Sequence, residues 1–245
     1  MLNGFFAVLP IRVGACQKIA VSVLVGGLLV AGLGGGPVEA QHLRVDVGGG
    51  WAFPTNNLSL ESEPVTVSTP DGTGEIPIQQ DVDLNSGPHV YVGLGFVRSI
   101  GENFELGVRL RAHQTNLRSS VDCSFDSDCG EPSGTLRAGT IEGRVILTSL
   151  GWIDPYLLVG LGVVHTSVDG VTLRNVPDPV QEDTVPFSDV SIVDAGGDVG
   201  LGAAIPIVGG LALDAEFRVA GSLPGGKDNT VTVAPFTLGL AYNFE

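Results

Sequence analysis

Between residues 42 and 244 apolar side chains recur at every second position in eight segments, and the links joining them alternate between long and short. Period two is the mark of a strand, because successive side chains of an extended chain point to opposite faces. The segments cover residues 42–54, 87–99, 103–115, 135–149, 154–167, 190–205, 210–221 and 229–244. Links of a few residues follow the second, fourth and sixth segments, and much longer links follow the first, third and fifth. An up-and-down barrel crossing an outer membrane is built this way, with short periplasmic turns and long extracellular loops. The spacing predicts an eight-stranded antiparallel transmembrane β-barrel over residues 41–245, with long loops near 55–86, 116–134 and 168–189.

The two faces of each segment sharpen this expectation. In the third, Phe104, Leu106, Val108, Leu110 and Ala112 alternate with Glu105, Gly107, Arg109, Arg111 and His113. In the seventh, Leu211, Leu213, Ala215, Phe217 and Val219 alternate with Ala212, Asp214, Glu216 and Arg218. The fourth and sixth place Glu142, Arg144, Asp194 and Asp198 on the same polar parity, while the fifth is apolar on both parities and its facing stays open. A secreted sandwich would dress its wet face with Lys, Ser and Thr, but this chain has only Lys18 and Lys227. A narrow barrel lumen instead suits glycines beside arginine–carboxylate pairs, because eight strands enclose a space that side chains just fill. The expected lumen network is Glu105, Arg109, Arg111, Glu142, Arg144, Asp194, Asp198, Asp214, Glu216 and Arg218. Glycine, 36 of 245 residues, is about twice as frequent as usual, and much of it shares the lumen parity. A lumen filled in this way predicts no open pore. Aromatics near segment ends, among them Trp51, Phe104, Trp152 and Phe236, fit interface girdles.

Residues 1–40 read as a signal peptide: Arg12 and Lys18, then an apolar run over residues 19–33, then a small-residue end at Ala40. As a helix the run would rise about 22 Å, short of a hydrocarbon core of about 30 Å. The remaining cysteines, Cys123 and Cys129, are expected to close a small disulfide loop in an oxidising compartment. A formal net charge of −15 excludes nucleic acid as a partner, since that needs a basic face. The acidic stretches 81–87 and 122–131 lack the spacing of a calcium loop and are read as solvated loops, so no metal or cofactor is expected.

The fifth, seventh and last segments, DPYLLVGLGV (154–163), LALDAEFRVAG (211–221) and FTLGLAYNFE (236–245), resemble the small eight-stranded outer-membrane barrels of the OmpA/OmpX type. The resemblance implies an outer-membrane location. It also implies a last strand read by the barrel assembly machinery, although here Phe244 is penultimate where the family ends in an aromatic. The partners expected are outer-membrane lipid and lipopolysaccharide, and the state expected is a monomer. The expected role is structural or surface-interacting rather than enzymatic, with any binding carried by the loops. The alternative is an outer-leaflet lipid A acyl hydrolase using His165 as base and Ser167 as nucleophile, two residues that alternation puts on one face.

Overall fold

A computed structural model describes residues 41–245 apart from 70–71, 78, 121–132, 149, 171, 175–183, 224–230 and 245. The expected signal peptide, Cys123 and Cys129 therefore lie outside the described residues. The strands are β1 (Gln41–Pro54), β2 (Leu58–Glu61), β3 (Val65–Thr69), β4 (Gly72–Ile76), β5 (Gln79–Asn85), β6 (Gly87–Ile100) and β7 (Phe104–Ser120). They continue with β8 (Ser133–Leu147), β9 (Asp154–Val168), β10 (Thr172–Arg174), β11 (Thr184–Pro186), β12 (Val190–Val208), β13 (Leu211–Ser222) and β14 (Val233–Phe244). Eight of them, β1, β6, β7, β8, β9, β12, β13 and β14, pair in that order, each antiparallel to the next, and β14 returns to β1. The ring is closed, so it leaves no unpaired edge to face lipid.

The short connections sit at one end and rely on glycine. β12 and β13 are joined through Gly209 and Gly210, both at positive φ (57° and 79°). Two such residues suit the tight hairpin whose twist matches the flanking strands. Alternation then sets every face. Val199 and Leu201 are 60 % and 57 % exposed on the outside of β12, while Asp46 and Glu142, inside, are wholly buried. That is the reverse of a soluble domain and identifies the outer wall as the surface that meets lipid. Among the outward aromatics, Trp51, Phe53, Phe217 and Phe236 lie toward the long-loop end. Phe96, Phe104, Trp152, Tyr242 and Phe244 lie toward the short-turn end. β9 resolves the open facing: Tyr156, Leu158, Gly160 and Gly162 point inward, and Leu157, Val163 and His165 point outward.

The ring strands overrun the membrane. Crossing takes about 9–11 tilted residues, yet β7 has 17 and β12 has 19. The expected loop over residues 55–86 is largely strand rather than irregular: β2 pairs with β5, and β5 continues onto the upper part of β7 through Asp83↔Ser120. Residues 81–85 of the acidic stretch belong to β5, and Gly87 opens β6. β3 and β4 form a hairpin, β10 and β11 another, and a bridge between Ser62 and Phe187 ties the first long connection to the third. The last strand starts at Val233, later than alternation suggested.

Candidate functional site

The lumen is filled in tiers. At the short-turn end Val97, Ile146, Tyr156 and Leu158 form an apolar cluster. Above it lies an ionic plug of five arginines, Arg44, Arg109, Arg111, Arg144 and Arg218, and five carboxylates, Asp46, Glu142, Asp198, Asp214 and Glu216, all buried. The plug is thus neutral as a set. Glu216 is its hub. Its carboxylate accepts from Arg111 Nη1 at 2.7 Å, Arg218 Nε at 2.8 Å, Arg144 Nη2 at 3.1 Å, Arg109 Nη2 at 3.2 Å and Tyr156 Oη at 3.1 Å. Glu142 accepts from Arg109 Nε and Arg218 Nη1, both at 2.8 Å, and from Thr140 Oγ1 at 3.1 Å. At the rim of the plug Asp214 accepts from Arg44 at 2.9 Å and from Tyr156 at 2.5 Å. Asp46 accepts from Arg109 at 2.7 Å, and Asp198 from Arg218 at 3.0 Å. Arg111 also stacks on Tyr91, 3.6 Å from the ring centroid. Charges this deep hold together because each is paired and hydrogen-bonded.

Glycines make the plug possible by cross-strand pairing. Gly93 lies opposite both Asp46 and Arg111, Gly95 opposite Arg109, and Gly160 opposite both Glu142 and Asp198. Gly200 lies opposite Arg218 and Gly202 opposite Glu216 and Tyr156. A Cβ at Gly93 would fall 2.5 Å from Asp46 Oδ1 and 2.8 Å from Arg109 Cδ. The space a side chain would take on one strand is the space a charged side chain of its neighbour occupies.

Above the plug His89 and Thr115 share a hydrogen bond of 2.7 Å between Nδ1 and Oγ1, and His89 meets His113 edge-to-face at 5.1 Å. Above these an apolar core closes the long-loop mouth. Leu58, Val65, Val82, Leu84, Val185 and Phe187 of the long connections pack there with Ala52, Leu117, Leu136, Val164, Val168 and Val233 of the wall.

Of the residues expected in the lumen network, Arg109, Arg111, Glu142, Arg144, Asp198, Asp214, Glu216 and Arg218 come together in the plug. Glu105 does not: it lies at the short-turn mouth, accepting from Ser99 Oγ at 3.3 Å. Asp194, near the opposite mouth, accepts from the Ala195 amide at 2.7 Å. Sequence reasoning left Arg44, Asp46 and Tyr156 out of the network. Arg44 and Asp46 carried the signal, since they share the inward parity of the first segment, whereas Tyr156 sits in the doubly apolar fifth. His165 and Ser167 do share the outward face of β9, but His165 Nε2 is hydrogen-bonded at 3.1 Å to Ser191 on β12, not to Ser167. Among the described residues no group of three His, Cys, Asp or Glu side chains could hold a metal ion.

No protein-family profile and no curated protein matches this sequence. Solved structures do. A major outer membrane protein from Thermus thermophilus is similar with a TM-score of 0.50 at 16 % identity, over 84 % of this chain and 100 % of that one. Neisserial surface protein A gives 0.47 at 14 % identity over 84 % and 100 %. Ail, the attachment invasion locus protein of Yersinia pestis, gives 0.40 at 13 % over 84 % and 100 %. The first of these likenesses shows the fold, that of an outer-membrane β-barrel, and the exposed apolar wall is the surface such a fold turns to lipid.

Proposed function

We propose that the barrel is a sealed anchor in the bacterial outer membrane that holds a folded extracellular platform, with a structural or surface-interaction role. The observation that carries this is the apolar core at the long-loop mouth, where side chains of β2, β3, β5 and β11 pack onto the barrel wall. Connections that only joined strands would not need a core of their own. Here they extend the barrel outward and present a shaped surface. The neutral plug beneath supports the same reading, because its buried ion pairs occupy the cross-section that a channel would require. In this role the protein acts as a monomer embedded in outer-membrane lipid and lipopolysaccharide. The outward row Phe236, Leu238, Leu240, Tyr242 and Phe244 of β14 is the strand the barrel assembly machinery would read on insertion. The hydrolase alternative finds less support, since the hydroxyl that His165 engages belongs to Ser191.

The test has two arms, both on the full-length protein. Deleting residues 65–76, the β3–β4 hairpin, should leave heat-modifiable migration on a gel intact while changing the set of proteins crosslinked at the cell surface. In planar bilayers the wild-type barrel should show no unitary conductance above background. An unchanged crosslinking pattern together with steady conductance would overturn the proposal.

A further inference from the structure

The outer wall is not uniformly bulky. On the belt between β6 and β9, Ala112 and Gly139 stand side by side in register, flanked by Val92 on β6 and Val163 on β9. Where two valines flank two residues with almost no side chain, the wall is hollowed: a shallow depression of about 630 Å³, wide open to its surroundings, lies over Ala112 and Gly139. A second hollow of about 500 Å³ continues it downward past Leu110, Ile141 and Leu161. A Cβ placed on Gly139 would meet nothing within 4 Å, so the hollow is open space facing lipid rather than a close approach of backbone.

The top of the hollow is polar. In the next outward row Gln114, Arg137 and His165 lie side by side on β7, β8 and β9. Arg137 Nε donates to Gln114 Oε1 at 3.2 Å, and Gln114 Nε2 donates to Asn116 Oδ1 at 2.8 Å. That ladder holds Arg137 Nε beside Gln114 at the polar end of the hollow. The height is informative. Arg137 lies ten residues above Leu147 on the same strand. At about 3.3 Å per residue and a tilt of about 40°, this is about 25 Å, the height of a barrel's apolar band. The cation therefore sits at the head-group level of the leaflet on the long-loop side, directly above an apolar hollow.

We propose that this hollow is a binding site for a phosphate-bearing acyl lipid of the outer leaflet, with one acyl chain along Ala112 and Gly139 and the head-group phosphate on Arg137. Charge complementarity chooses the occupant. The chain as a whole carries −15, so a general surface attraction would repel an anionic lipid. A planar guanidinium at this depth supplies the local fork that phosphate recognition favours. An acyl chain in the hollow fills volume that the two small residues leave, which a flat wall would not reward. The inference rests on the membrane-barrel fold and not on the extracellular platform.

The test is native mass spectrometry of the refolded full-length barrel in detergent, titrated with bisphosphorylated, hexa-acylated lipid A and with the same lipid stripped of its phosphates. Heat-modifiable migration confirms folding of each variant. Arg137→Gln should weaken lipid A binding about tenfold, the scale of one lost charge-assisted contact, and should leave affinity for the dephosphorylated lipid unchanged. Gly139→Phe, which fills the hollow, should weaken binding of both lipids several-fold, and Ala112→Phe should do the same if Gly139→Phe does not fold. Arg118→Gln, an exposed arginine farther up β7 and outside the hollow, should bind as wild type. The site is overturned if Arg137→Gln and the Phe variants bind lipid A like wild type. It is equally overturned if Arg118→Gln loses as much as Arg137→Gln, since that would mean non-specific attraction.

Discussion

Replacing Glu216 by Gln tests whether the plug is held by its ionic hub. The change keeps the size and shape of the side chain, so packing against Thr237 and the wall is preserved. It removes the charge that four arginines share at 2.5 to 3.2 Å and puts an amide NH2 among guanidinium donors. The plug passes from five cations and five anions to a net charge of plus one among buried side chains. Breaking a buried pair by removing one partner costs about 3–5 kcal/mol, because the other charge stays buried and uncompensated. At about 1.4 kcal/mol per factor of ten, the unfolding constant should rise by roughly two to three and a half orders of magnitude. Urea titration of the barrel in lipid vesicles reads this out, following the loss of the heat-modifiable gel band, with Trp51 and Trp152 fluorescence as an independent probe. The design has an internal check. The one hydrogen bond of Arg111 within the plug goes to Glu216, at 2.7 Å, so Arg111→Gln added to Glu216→Gln restores neutrality by removing the most orphaned cation. The double variant should recover at least about 1 kcal/mol relative to the sum of the singles, as coupled partners do. A loss below about 1 kcal/mol for Glu216→Gln, or strict additivity in the cycle, would refute the view that the charges act as one set.

Three further outcomes follow from the same geometry. Gly160→Ala should destabilise the barrel by about 1–3 kcal/mol in the same titration, since its Cβ would meet the Asp198 carboxylate and fall 2.8 Å from Glu142 Cγ, whereas Gly139→Ala should stay within about 0.5 kcal/mol. Val82→Asp, which places a lone charge in the extracellular core, should make the extension sensitive to added protease on intact cells while the membrane-embedded fragment survives. Ser167→Ala should leave lipid A acylation in the native host unchanged by mass spectrometry, because His165 is engaged with Ser191; a loss of deacylation would revive the hydrolase reading.

The ring was legible because period two is a strong signal when one face meets lipid and the other a crowded lumen. The inward parity of Arg109, Arg111, Glu142 and Arg144 could be read directly, since each alternates with an apolar neighbour. The fifth segment could not be assigned a face from its own sequence: Leu158 and Val164 point inward and Leu157 and Val163 outward, and all four are apolar. Its facing is fixed by partners on other strands, as when Gly160 lies opposite Glu142 and Asp198. The strands of the long connections escaped notice for another reason. Leu58, Val65, Val82 and Leu84 alternate well enough, but over runs of four to seven residues set among prolines and acids. Such short strands are fixed by the long-range bridge between Ser62 and Phe187 and by docking on the barrel mouth.

Net charge says how acidic a chain is, not where the acid lies, and here location changes its meaning. The plug takes five basic and five acidic side chains and is neutral, so all of the −15 belongs to residues outside it. Ions buried in the lumen cannot exchange with solvent ions, so they must balance among themselves, and each must face a glycine to find room. Residues beyond the membrane face no such constraint. Their acidity remains uncompensated, which keeps the extracellular extension solvated and resists its association with anionic surfaces. The lumen chemistry therefore stabilises the barrel, while the surface charge shapes what the extension can meet. The guanidinium of Arg137 is set apart from both, a cation on the outward wall at the long-loop edge of the apolar band.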